Sequence, residues 1–210
     1  MIRSRATFKV LGTAESPAIL SEAAAQRNRA VVLEALEVAG WAPFHYDRTV
    51  DGLAEPWRAH VLWHDQCQAL APKLFGWFPE LPSTSKLPKM MQACGALVLV
   101  TWLPQFYHLA ERKPKQVTVD EEHLAATAAM VQNLLLLLTA HGMGTYWSSG
   151  GKLGDPQFFS KVGIPETERL SAAVFVEYPE TLADDRERRP GAHRDKRSTG
   201  WIREVGHEVL

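Results

Sequence analysis

Apolar positions in this chain follow two patterns: helical spacing in the longer segments and short continuous runs between them. Residues 19–40 (ILSEAAAQRNRAVVLEALEVAG) mix Ala, Leu, Val and Glu at helical spacing and stop at Gly40, which suits the position just past a helix end. One helix is predicted there. Residues 120–141 (DEEHLAATAAMVQNLLLLLTAH) predict the longest helix, with acids in its first turn, Thr118 as N-cap and Gly142 just past its end. The leucines at 134–138 leave it no polar outer face, so it lies at the centre of the core or packs against a second subunit. The run 95–102 (GALVLVTW) is short, apolar and rich in β-branched residues, the signature of a strand buried on both faces. Further strands are predicted over 58–63, 144–147 and 171–178, a helical stretch over 66–75, and a short helix over 155–162 with Pro156 near its first position.

Between the first helix and the first of these strands, residues 41–57 carry Pro43, Pro56, Asp47, Asp51 and Gly52 with no sustained period. A loop of that length usually has a function. Residues 78–88 are punctuated by Pro and Ser. The stretch 184–197 (DDRERRPGAHRDKR) reads as a solvated arm, and 198–210 as a weak helix. With no internal repeat or second domain evident, residues 1–210 are expected to form one domain.

Composition narrows the class. At 210 residues and 46% hydrophobic, the chain is long enough for one substantial core. Its net charge of -1, from 23 basic and 24 acidic residues, provides no global field to recruit nucleic acid or an anionic membrane. Any basic site must be local. Cys67 and Cys94 make no disulfide framework and have no metal-ligand spacing, so they read as thiols in a reducing compartment. The first residues lack an apolar leader, and no apolar run is read as approaching the ~18 residues that span a bilayer. The expected location is cytoplasmic.

Candidate chemistry is confined to a few segments. Arg3, Ser4, Arg5, Thr7 and Lys9 place cations beside hydroxyls, a combination that holds phosphate through charge-assisted hydrogen bonds, although a basic terminus is more often a solvated tail. A second basic cluster, 186–197, lies at the far end. Residues 142–151 (GMGTYWSSGG) follow the long helix and bring bare backbone N–H groups toward a planar or anionic ligand, or else form a turn-rich connection. They match neither a dinucleotide loop nor a nucleophile elbow. His45 and His64 have no metal partner at useful spacing. Asp120, Glu121 and Glu122 read as first-turn acids compensating a helix dipole rather than as catalytic groups, and Trp147 and Trp201 as packing anchors rather than cofactor stackers. No nucleophile and base pair suggests hydrolysis.

Taken in order, these segments resemble the nitroreductase family. Arg5, Thr7 and Lys9 fall on its N-terminal pattern of Arg, Ser or Thr, and Lys or Arg at alternate positions. Trp41, Ala42, Pro43, Phe44 and His45, followed by Glu55, Pro56, Trp57 and Arg58, are similar to its WAP-x-H and EPWR elements, with a longer spacer over 46–54. Gln132, Asn133 and Gly142, then Ser148 to Gly151, resemble its long central helix and the turn after it. Arg194, Lys196 and Arg197 before Trp201 are similar to its C-terminal basic motif.

The resemblance implies an α+β, nitroreductase-like three-layer α/β/α fold with a central mixed, mainly antiparallel sheet in an intertwined homodimer. It also implies FMN, with NADH or NADPH as electron donor. Arg5 and Thr7 would hold the FMN phosphate with help from Arg194, Lys196 and Arg197. Lys9 would reach the N1/O2 edge of the ring, and Pro43, Phe44, His45, Ser148, Ser149, Gly150 and Gly151 would surround it. The flavin, rather than a catalytic side chain, would carry electrons in a ping-pong cycle to a nitroaromatic, quinone or similar small acceptor. Phe44, Phe106 and Tyr107 are candidates to line the acceptor slot. The alternatives are a related flavin-fold enzyme, a dehalogenase or a flavin-fragmenting enzyme, and a non-catalytic FMN-binding or sensing dimer.

Overall fold

The computed structural model describes residues 2, 5–12, 20–182, 188–190 and 196–204. Its first helix, α1 (Glu22–Ala39), starts where the Ser21 hydroxyl accepts the Ala24 N–H and ends at Gly40. Gly40 has φ -62°, so this end does not use the left-handed conformation that glycine offers; its N–H stays bonded to the Leu36 and Glu37 carbonyls. After the loop, β2 (Trp57–Trp63) leads into the short helices α2 (His64–Leu70), α3 (Lys73–Trp77) and α4 (Lys86–Ala93). The single helical stretch expected over 66–75 is therefore split, with Pro72 at the break. Then come β3 (Ala96–Trp102), the long α5 (Pro114–Ala140), β4 (Gly144–Ser148), α6 (Pro156–Val162, with Pro156 at its start as predicted), β5 (Arg169–Glu177) and α7 (Pro179–Leu182).

Helix α5 begins at Pro114 rather than at 120. Proline at the first position has no N–H to leave unpaired, and the Gln116 side chain accepts the Lys113 N–H at 2.8 Å. Thr118 is therefore inside the helix, bonded back to the Pro114 carbonyl, and is not its N-cap. The acids at 120–122 fall beyond the first turn, where the dipole has little use for them. By length and a mean hydropathy of 1.5, α5 is apolar enough to cross a membrane, yet here it lies against the sheet with Val131, Leu134, Leu135 and Leu138 buried.

Strands β2, β3, β5 and β4 form one sheet in that order, every pair antiparallel. Among the described residues, the parallel component expected of a mixed sheet is a single bridge between Thr7 and Thr145. Every residue of β3 is buried, as its continuous apolar run predicts. Alternation then divides the core in two. Val98, Val100, Ala172 and Val174 pack against Val32 and Ala35 of α1 and Met130, Leu134 and Leu138 of α5. Leu97, Leu99, Ala173 and Phe175 pack against Cys67, Leu74, Met91 and Phe158 from the shorter helices. Each fully buried aliphatic or aromatic side chain contributes about 1.5–3 kcal/mol. The two cysteines are free thiols in the second core, where the neighbouring Cys94 and burial push the Cys67 thiol up.

Beside this sheet, β1 (Phe8–Val10) pairs antiparallel with β6 (Arg188–Pro190), with Lys9 opposite Arg189. Part of the stretch expected to be a solvated arm is therefore a strand. Its pairing partner lies at the opposite end of the chain, beyond the reach of local pattern. Residues 198–204 form turns rather than the expected helix. Arg3, Ser4, Arg186 and Arg194 lie outside the described residues.

Candidate functional site

The bridge between Thr7 and Thr145 lays β1 alongside β4 in the same direction. Lys9 thereby reaches the second half of β4, its ammonium 4.8 Å from the centre of the Tyr146 ring. Arg5 donates to the Thr7 hydroxyl at 2.8 Å, which preorganises a guanidinium and a hydroxyl side by side. Beyond β4 the chain turns through Ser148, Ser149, Gly150 and Gly151, and the Ser148 hydroxyl accepts the Gly150 N–H at 3.1 Å.

Two glycines shape that turn differently. Gly150 has φ 87°, and a Cβ there would sit 2.3 Å from Leu170 Cδ2, so a side chain at this position is strained and must displace Leu170. Gly151 has φ 54° and open space where a side chain would project, which leaves its main chain exposed. The next cation, Lys152, is already held by Glu80 at 2.5 Å and Asp155 at 3.4 Å. Lys9 has no carboxylate partner among the described residues. This edge therefore offers a positive charge, a guanidinium with its hydroxyl, and bare main chain, a donor set that fits a flat anionic group.

The segment after α1 makes a second surface. Pro43, Phe44 and His45 line a hollow of about 340 Å³ whose other wall is Glu122, Ala125, Ala126 and Ala129 of α5. Arg5, Thr7, Lys9 and residues 148–151 are not among its walls. Phe44 also meets Trp57 edge-on, with ring centres 5.6 Å apart. The longer spacer is no loose loop. Asp51 (φ 55°) and Gly52 (φ 78°) make a tight reversal, with Val50 and Leu53 exchanging both main-chain hydrogen bonds. Arg58, the arginine of the EPWR element, donates to the carbonyls of Val50, Glu55 and Trp57. Arg48 donates to those of Leu103 and Pro104.

Asp120, read from sequence as a dipole compensator, instead accepts the Gln105 N–H at 2.7 Å and the Phe106 N–H at 3.1 Å, with Arg112 at 3.6 Å. Its helical position hides this role, because the loop it holds precedes the helix, outside the helical period. His123, three residues on, is 1% exposed, and sequence reading did not single it out. Lys196 and Arg197 are exposed and form no ion pair among the described residues. Trp201 (76% exposed) and Trp147 (38%) are not packed anchors within this chain. Elsewhere, buried Glu168 accepts from the Thr101 hydroxyl and pairs with His60 at 2.7 Å. Burial raises its carboxyl, but those partners outweigh that and hold it below the ordinary value. This cluster braces the β2 and β3 strands.

A model of the nitroreductase family matches residues 28–176. The chain belongs to the nitroreductase family. It is 27% identical over 166 residues to YfhC of Bacillus subtilis, a candidate NAD(P)H nitroreductase by name, and that match spans 77% of this chain and 79% of the relative. Among solved structures, a nitroreductase-like family protein from Bacillus cereus superposes with a TM-score of 0.62 at 22% identity, covering 94% of this chain and 92% of that one. The nitroreductase CinD from Lactococcus lactis, solved with chloramphenicol, gives 0.57 at 14%, covering 84% and 86%. A nitroreductase from Bacteroides fragilis with bound FMN gives 0.53 at 17%, covering 98% and 96%. At these identities the solved structures speak for the shared fold.

Proposed function

We propose that this nitroreductase-family chain is an FMN-dependent oxidoreductase that passes electrons from NADH or NADPH to a nitroaromatic, quinone or similar small acceptor in a ping-pong cycle. The observation that carries this reading is the edge where Arg5, Thr7 and Lys9 run beside β4 toward the turn whose last glycine, Gly151, leaves its main chain exposed. Bound FMN supplies the capacity to take hydride from the nicotinamide and deliver electrons to the acceptor. The chain's own residues do the rest. Arg5 and Thr7 bind the phosphate, with Lys196, Arg197 and Arg194 as further cations. Lys9 supplies the positive charge that favours the reduced, anionic ring. Ser148, Ser149, Gly150 and Gly151 present main chain without bulk. Pro43, Phe44 and His45 give the acceptor an apolar wall that excludes water.

The working unit in this proposal is an intertwined homodimer with three-layer protomers, placed in the cytoplasm. Two observations favour a second copy. Leu124 is 41% exposed on a helix that is otherwise mostly apolar. The Pro43 to His45 hollow and the Lys9 edge are also separate surfaces of one chain, so apposing two copies is the economical way to bring them onto one ligand.

The test is direct. Purified protein titrated with FMN is expected to turn yellow, to bleach anaerobically with NADH or NADPH, and to regain colour when a quinone or nitroaromatic is added. Failure to take up FMN would overturn the proposal, and a yellow protein that neither nicotinamide bleaches would leave a binding protein instead. Lys9→Ala is expected to lower the flavin potential and slow reduction. Wild-type values for both would remove Lys9 from that role.

A further inference from the structure

Residues 103–106 are gripped from two sides. Arg48 takes the carbonyls of Leu103 and Pro104, each at 3.1 Å, and Asp120 takes the N–H groups of Gln105 and Phe106. The spacer 46–54, the loop after β3 and the N-terminal part of α5 thus meet at one joint. At that joint lies His123, 1% exposed, with both ring nitrogens sealed from solvent; the main chain of Tyr46 lies beside the ring, but neither nitrogen makes a well-formed hydrogen bond among the described residues.

A buried polar ring with no partner is costly in either protonation state, and far more so when charged. The groups facing it are mixed. Asp120 and Glu122 on α5 and the main chain of Tyr46 favour the proton, Arg48 opposes it, and Arg112 already engages Asp120. Asp120 is also committed to two main-chain N–H groups, so it cannot turn to His123 without releasing the loop. Desolvation is the largest influence and holds the imidazole below its ordinary value.

We propose that His123 is a proton-controlled latch: uncharged, it lets the 46–54 and 103–113 segments seat on α5, and on protonation it releases them. The 46–54 segment runs on directly from His45 in the wall of the hollow, and Arg48 within it holds 103–104, so acid loosens the acceptor side from that end while the Lys9 edge keeps its structure. The link to the acceptor rests on the flavin reading above, but the latch itself does not.

The sign follows from linkage. A histidine whose seated pKa is depressed stabilises the seated state fully above the released value, about 6.5, and that contribution fades as pH falls through the window below it. Each pH unit across that window shifts the seated-to-released ratio by up to about tenfold.

The experiment reads the loops and needs no turnover. Hydrogen exchange of the full-length protein is measured at pH 7.5 and pH 5.5, corrected for the intrinsic pH dependence of exchange, with β3 amides as the internal control. In the wild type, amides in 46–54 and 103–113 are expected to lose about threefold to tenfold of their protection at pH 5.5 while β3 holds. In His123→Phe, which keeps a ring but cannot titrate, and in His123→Gln, which keeps a polar group but cannot titrate, loop protection should be the same at both pH values. Wild-type loops equally protected at both pH values would overturn the latch even if neither variant folds. A foldable variant that reproduces the wild-type loss would overturn it too. Neither outcome bears on flavin binding, which the FMN titration tests separately.

Discussion

The two surfaces assigned to the site are built by opposite means. The edge formed by β1, β4 and the 148–151 turn relies on main chain, with a strand bridge, two glycines at positive φ and a carbonyl and N–H framework that side chains barely enter. The hollow of Pro43 to His45 relies on side chains that reach across to other segments, with Arg48, Arg58 and Asp120 each tying down loop main chain. Main-chain construction has few alternative states. Side-chain ties open one at a time, which gives that side of the site the low local stability that ligand-admitting loops draw on. In the flavin reading proposed above, such a division suits a surface that holds the cofactor continuously and another that admits and releases acceptors.

The strongest test of that contrast is at Gly150. Gly150→Ala forces a Cβ to within 2.3 Å of Leu170 Cδ2 at φ 87°, so overpacking and backbone strain combine, and a loss of about 3 kcal/mol is expected in urea unfolding. Gly151→Ala has the φ penalty without the collision and should cost about 1 kcal/mol. Equal losses for the two variants would show that the turn yields at Leu170, and the rigid side of the comparison would fail.

Next in size is Asp120→Ala, which leaves the N–H groups of Gln105 and Phe106 without their acceptor and costs about 1–3 kcal/mol if they cannot find water. Because these bonds hold a loop rather than a strand, the change should appear first as faster proteolysis within 103–113, with the global midpoint moving less. Asp120→Asn retains an acceptor oxygen and should fall between the wild type and Ala. A global loss as large as that of Gly150→Ala, with no local opening, would mean that both sides belong to one cooperative unit.

The central core was the most legible from sequence. β3 was evident because an apolar run bounded by Gly95 and followed by a polar loop has few other readings, and α5 because its leucines leave no outer face. The turn glycines announced themselves by type. What escaped was long-range and made by side chains. Asp120 looked like a dipole compensator because its partners at 105 and 106 are outside the helix, and the true start at Lys113 and Pro114 was hidden behind polar residues. The pairing of Arg188–Pro190 with β1 joins opposite ends of the chain through residues whose charge suggested solvent. His123 was passed over because a single histidine on an apolar helix looks the same whether its ring is satisfied or orphaned.

One feature of the loop side was written locally and still missed: Asp51 followed by Gly52 is a hairpin signal, lost in a segment read as having no period. It provides the smallest and most local prediction. Gly52→Ala meets no atom within 4 Å, so only its φ of 78° is penalised, by about 1–2 kcal/mol. That penalty falls on a hairpin whose remaining ties are the Arg58 and Arg48 bonds to Val50, Leu103 and Pro104. If the side-chain ties dominate, the hairpin stays seated and the thermal midpoint moves little, while amide exchange rises only at 50–53. If the reversal itself holds the segment, exchange rises through 103–106 as well, because losing the hairpin withdraws Arg48 from their carbonyls. The second result would shift the control of the acceptor side from the joint at Asp120 and His123 to a two-residue turn, and the contrast drawn between main-chain and side-chain construction would then hold only for the edge beside β4.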